Sequence, residues 1–116
     1  MLTIVGTIIA GASDEGCETA VTLARELGGK PEASILIHGG TVPAGQAAFV
    51  NAIMARALDF CDAMVPGAHS GSAVIPAALA AAEAMGGVSG ADFLAAVCVG
   101  VELAIRLNLG EAEYDG

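Results

Sequence analysis

Ala44-Gly-Gln-Ala-Ala-Phe-Val-Asn-Ala-Ile-Met-Ala-Arg-Ala-Leu58 is the stretch whose reading decides the fold. Ala47, Ala48, Val50, Ile53, Met54, Ala57 and Leu58 recur at three- and four-residue intervals, which lines one broad face of an α-helix and does not fit the two-residue period of a strand. Pro43 falls in the first turn, where its missing N–H costs nothing, Thr41 can cap the helix, and the last turn is expected at Leu58–Asp62.

The flanking segments carry the same period. Towards the N-terminus, Leu2, Val5, Ile8 and Ile9 form one helical pattern that Gly11 stops. Ser13 or Asp14 can cap a second helix through Val21, Leu23, Ala24 and Leu27, with Glu15 and Glu18 near its positive end and Gly28-Gly29 closing it. Between this helix and the third, Ser34-Ile35-Leu36-Ile37 is a short extended piece bounded by Pro31 and Gly39-Gly40. Towards the C-terminus, Ser70 or Ser72 can cap a fourth helix that tolerates Pro76 near its start and ends at Gly86-Gly87. Ser89-Gly-Ala-Asp92 is a variant capping box for a fifth helix, with Phe93, Leu94, Val97, Cys98, Val101, Leu103 and Ile105 inside it and Arg106 near its negative end. The expected fold is all-α: a bundle of about five helices with at most one short extended segment, in one domain over residues 1–116.

Composition sets the limits on function. Hydrophobic residues make up 55% of the chain but aromatics only 3%, so the apolar content is largely alanine, valine, isoleucine and leucine. Small side chains allow close helix packing and bury little area each. The excess of apolar surface over what one small domain hides predicts a homo-oligomer or a complementary chain rather than a monomer. Net charge is −9, with Arg25, Lys30, Arg56 and Arg106 the only cations beside the two histidines. No basic stripe exists to neutralise phosphates, which argues against nucleic acid as a partner. The two longest apolar segments carry Glu83, Asp92, Glu102 and Arg106, which argues against a membrane span. Three widely spaced cysteines and no signal-peptide layout point to a reducing, cytoplasmic setting.

Chemistry is concentrated between the third and fourth helices, in Asp59-Phe-Cys-Asp-Ala-Met-Val-Pro-Gly-Ala-His69. Asp59 and Asp62 are three apart and share a helical face if the turn persists, and His69 can fold back towards them across the Pro66-Gly67 bend. A histidine oriented by a carboxylate is a competent general acid or base near neutral pH. The alternative reading is structural: Asp62 a solvated helix-end acid, Asp59 a cap, and His69 bonded to a carbonyl. A metal held by Asp59, Asp62 and His69 lacks a fourth donor, and neither Cys61 nor His38 supplies a recognised ligand spacing, so no metal is expected. Two flanking acids should disfavour the Cys61 thiolate and so oppose a nucleophilic role with His69 as base. Gly39-Gly40 lacks the pattern of a phosphate-binding loop, and no cofactor is expected.

Ala47-Ala48-Phe49-Val50-Asn51-Ala52, Leu58-Asp59-Phe60-Cys61-Asp62, His69, Val74-Ile75-Pro76-Ala77-Ala78-Leu79-Ala80 with Glu83, and Gly100-Val101-Glu102 with Arg106 resemble the N-terminal helical part of the MmgE/PrpD family. The opening Val5-Gly6-Thr7-Ile8-Ile9-Ala10-Gly11 resembles the family's first helix. This family includes 2-methylcitrate dehydratase and cis-aconitate decarboxylase. The resemblance implies a lyase without an iron–sulfur cluster, acting on a small tricarboxylate by proton abstraction beside a carboxylate and loss of water or carbon dioxide. His69 and Asp59 match the family's active-site positions, and Asp62 and Arg56 are assigned to substrate binding. Cys61 and Ala63 stand where the family pattern has an acid and a threonine, and Ser70 where a proline follows the histidine. Family members are several times longer, and their second catalytic histidine and lysines would lie beyond Gly116, so the chain is expected to be a fragment with an incomplete site. Two functions follow: a partial lyase domain, inactive alone, acting on a small carboxylate substrate; or a non-catalytic helical oligomerisation module derived from that family.

Overall fold

The computed structural model describes residues 1–64 and 69–109, with side chains through Leu107. Five helices lie in the described residues: α1 (Leu2–Gly11), α2 (Cys17–Leu27), α3 (Ala44–Arg56), α4 (Ser70–Ala84) and α5 (Gly90–Leu109). The extended part is a hairpin rather than a single piece. Strands β1 (Ala33–Ser34) and β2 (Thr41–Val42) pair antiparallel, with Ala33 opposite Val42. No helix among the described residues is long and apolar enough to cross a membrane.

Helix α3 is the hub, packing against α1, α2, α4 and the hairpin. Ala47, Val50, Met54 and Ala55 of α3 are buried together with Ile4, Ile8, Cys17, Val21, Ile35 and Ile75. The apolar face read from the sequence therefore holds for α3. In α1 the buried face is instead Ile4, Thr7, Ile8 and Gly11, with Leu2 and Ile9 exposed. The reason lies at Gly11. A Cβ there would stand 3.2 Å from the Ala57 Cβ and 3.3 Å from the Met54 carbonyl carbon, so the backbones of α1 and α3 touch at this point and fix the rotation of α1. Gly11→Val is expected to destabilise the fold by about 1–3 kcal/mol through this overpacking, read as a lower urea midpoint with unchanged slope.

The helix starts also differ from expectation. Thr41 belongs to β2, and Pro43 occupies the position before α3. The anionic group at this end is Glu32, whose carboxylate accepts the Ala44 N–H at 3.2 Å and pairs with Lys30. These contacts hold the Glu32 carboxyl below its ordinary value, the Ala44 hydrogen bond first and Lys30 second. Its contribution to stability is present above the unfolded glutamate pKa and disappears as pH falls through the depressed folded value. Glu32→Gln should remove that part of the acid dependence, seen by comparing melting temperatures at neutral pH and below pH about 4. Helix α2 starts at Cys17 after Gly16 in the left-handed region (φ 86°), which displaces Ser13 and Asp14 from the capping position. Only the fifth helix starts as read: the Ser89 hydroxyl accepts the Asp92 N–H at 3.1 Å and donates to the Asp92 carboxylate at 2.7 Å.

The segment after β1 is pinned from several directions. Asn51, buried on α3, accepts the Leu36 N–H at 2.9 Å and donates to the Ser34 carbonyl at 3.0 Å. Arg25 donates to the carbonyls of His38 and Gly39, and the His38 ring bonds the Ala12 carbonyl at 2.8 Å. His38 is thus a structural turn residue, and these anchors hold Ile37 at φ 65°, a conformation a β-branched side chain rarely adopts.

Candidate functional site

The site begins where α3 stops. The helix ends at Arg56, not in a turn over Leu58–Asp62, because Asp59 takes a left-handed conformation at φ 56° and its N–H returns to the Arg56 carbonyl at 3.0 Å. Aspartate tolerates that region better than most side chains. Asp59 and Asp62 consequently do not share a helical face. The Pro66-Gly67 bend lies outside the described residues.

Each acid has its own partner. The Asp59 carboxylate pairs with the Arg56 guanidinium. Arg56 first, and His69 more weakly, hold the Asp59 carboxyl below its ordinary value. Asp62 turns towards α4, and its Oδ2 accepts the Gly71 N–H at 3.0 Å, an anion at the positive end of the helix. Glycine is required for that closure: a Cβ on residue 71 would stand 2.8 Å from the Asp62 Cγ.

His69 sits at the N-cap position of α4 and is held at both ends. The Ser72 hydroxyl donates to the His69 carbonyl at 2.9 Å, and the ring Nδ1 lies 2.9 Å from the Asp62 carbonyl oxygen. A carbonyl only accepts, so this contact places the proton on Nδ1 and leaves Nε2 as the basic nitrogen. Nε2 has no protein partner among the described residues. A main-chain carbonyl, rather than the expected carboxylate, therefore orients the ring. The structure brings Asp59 and His69 to one place, with Arg56 on Asp59, while Asp62 is engaged by the helix it starts.

Cys61 lies beside the His69 ring. Its half-buried Sγ lies 3.4 Å from His69 Nδ1, and the Arg56 guanidinium also faces it. Of the acids flanking it in sequence, Asp59 pairs with Arg56 and Asp62 accepts the Gly71 N–H, while an Asp59 carboxylate oxygen stays within 4.8 Å of the sulfur. The donor atoms of Asp59, Cys61 and His69 all lie within 4.8 Å of one another. Ser72 went unnoticed except as a cap, yet a hydroxyl three residues after a histidine is a recognisable signal for a bond back to its carbonyl.

Residues 1–114 match the MmgE/PrpD N-terminal domain. The chain belongs to the MmgE/PrpD family. A curated member with a related sequence is the cis-aconitate decarboxylase of Mus musculus, 39% identical over 69 residues, a match that covers 57% of this chain and 14% of that enzyme. The chain thus matches only a small part of the length of this relative. No solved structure matches. Within this MmgE/PrpD chain, the junction between α3 and α4 brings Asp59 and His69 together, while Glu83 bonds the Ser34 N–H and Glu102 pairs with Arg106 on α5.

Proposed function

We propose that this MmgE/PrpD chain contributes Asp59 and His69 to a lyase site for a small tricarboxylate, and that the site needs further groups to turn over. The observation that carries this reading is the ring of His69, bonded through Nδ1 to the Asp62 carbonyl with Nε2 unpartnered among the described residues, in a junction where an Asp59 carboxylate oxygen lies within 4.8 Å of a ring nitrogen. In that arrangement Nε2 takes a proton from the carbon next to a substrate carboxylate, or returns one, as water or carbon dioxide leaves. Asp59 stabilises the imidazolium that forms in the first case. The decarboxylase relative supports this class of reaction, as does the match of the family model to nearly the whole chain.

In this proposal, charge limits what these residues do by themselves. A tricarboxylate needs cationic clamps, and each of the four cations is already engaged: Arg25 by carbonyls, Lys30 by Glu32, Arg56 by Asp59 and Arg106 by Glu102. In this proposal Arg56 can still offer its outer edge to substrate and Asp62 keeps the wall of the site in place, while the remaining cations come from outside these 116 residues. The reducing interior of the cell is the compartment this reading implies. The test is carbon dioxide release or dehydration with cis-aconitate and 2-methylcitrate, using the chain together with whatever co-purifies from its own source. Absence of both activities from that assembly would count against the lyase reading.

A second reading, an oligomerisation module without chemistry, is favoured by α5. None of its described side chains is fully buried, and Leu94, Val99, Leu103 and Leu107 are all more than half exposed. This helix packs on α4 and leaves its opposite side uncovered. Light scattering after size exclusion separates the readings: a homo-oligomer with no turnover supports the module, and a monomer at micromolar concentration contradicts it.

A further inference from the structure

We propose that Asp59, Cys61 and His69 form a binding site for a borderline-soft divalent cation of the zinc class. The three residues offer one carboxylate oxygen, one sulfur and one ring nitrogen, the mixed donor set that suits such ions rather than magnesium or calcium. Their geometry is close to what the ion demands. Bond lengths of about 2.3 Å to sulfur and about 2.0–2.1 Å to nitrogen, at a tetrahedral angle, place the two donors about 3.5 Å apart. The Cys61 Sγ and His69 Nδ1 already stand 3.4 Å apart. The Asp59 carboxylate lies within 4.8 Å of the Cys61 sulfur and of a ring nitrogen of His69, and rotation of its exposed side chain would close the rest of the distance. Arg56 bonds the Asp59 Oδ1 and leaves Oδ2 for the cation.

The backbone supports this placement. The left-handed turn at Asp59 directs the chain back so that residues 59 and 61 face the start of α4, and the Asp62 bond to Gly71 holds the two strands of the junction together. Binding is balanced by one proton: the Cys61 thiol loses its hydrogen to solvent as the sulfur–metal bond forms. His69 stays neutral, giving up its Nδ1 contact with the Asp62 carbonyl and carrying its N–H on Nε2 instead. Three protein donors leave the fourth position open for water or for a carboxylate oxygen of an anionic ligand. A cation there would supply positive charge at a junction whose own arginine is paired. The inference concerns binding and not turnover, and the ion-bound form, with its N–H on Nε2, is a different state of the junction from the one in which Nε2 acts as the base.

Cobalt(II) is the probe for the test, because a cobalt–thiolate bond absorbs in the near ultraviolet. The full chain is reduced with a phosphine, stripped of metal and titrated with cobalt(II), then with zinc(II). The expected result is a thiolate-to-cobalt band that saturates at one ion per chain and is bleached by zinc. Cys61→Ser should abolish the band, Asp59→Asn should weaken binding by more than about tenfold, and Cys98→Ser should leave both unchanged. Cys98 is exposed and Cys17 is buried, so the band can be assigned among the three thiols. Circular dichroism of each variant confirms that the helices persist, and Asp59→Asn alters an exposed side chain, so it keeps the test open if Cys61→Ser does not fold. A band that persists in Cys61→Ser, follows Cys98, or never saturates would overturn the proposal.

Discussion

Replacing His69 with alanine should lower turnover of the active assembly by about 10²–10⁴-fold, the range that a positioned general acid or base contributes. The loss should fall on kcat, with KM changed little, because Nε2 moves a proton in the transition state and carries no substrate charge in the ground state. The fold should survive. His69 is held by hydrogen bonds at the end of α4 and is not part of the apolar core. Steady-state kinetics with cis-aconitate, beside a circular dichroism spectrum, checks both halves of the expectation. Ser72→Ala provides the companion measurement. It releases the carbonyl of His69 without touching the ring, so it should lower kcat by a smaller factor and leave the pH profile in place.

The second large effect is on stability. Asn51→Leu keeps the number and branching of side-chain heavy atoms but leaves the Leu36 N–H and the Ser34 carbonyl without their partners, in contact with a side chain that has nothing to offer them. Losing the two bonds and leaving both groups unmet should cost about 3 kcal/mol. In a domain of this size that corresponds to a melting temperature lower by roughly 10–20 °C. Calorimetry measures it. The same change frees the connection between the strands, so the amides of residues 34–40 should exchange faster with solvent than those of α1.

Much of the architecture was legible in the sequence because it rests on periodicity. The face of α3 and the start of α5 follow from residue spacing and from the Ser89–Asp92 pair, both local signals. The misreadings share one cause: a distant contact overrides the local signal. The burial of α1 is rotated by the approach of Gly11 to α3, a contact between residues more than forty positions apart. The expected Thr41 cap gave way to a strand because Val42 pairs with Ala33, and Glu32 supplies the anion from outside the helix. The last turn of α3 was lost to the left-handed Asp59, which no periodicity announces.

The site divides in the same way. Asp59 and His69 were visible as the polar groups of a junction between apolar helices, and they do meet. Their manner of meeting was not visible. The carboxylate pairs with Arg56, the ring is oriented by a main-chain carbonyl, and Asp62 anchors the next helix instead of facing the ring. Cys61 lies between two acids in sequence, and in space its neighbours are the His69 imidazole and the Asp59 carboxylate that pairs with Arg56. Chemical surroundings are a property of the folded junction, and residue order alone does not supply them.

Whether His69 is the working group of a site for a small tricarboxylate is decided by histidine-labelled NMR of the purified assembly during titration with cis-aconitate. The chain has two histidines, and His38 is bonded to the Ala12 carbonyl away from the junction, so it serves as an internal reference. The expected result is a saturable shift of the His69 ring signals, largest at Nε2, with those of His38 unmoved. Ring signals of His69 that stay in place while the substrate is turned over would contradict it.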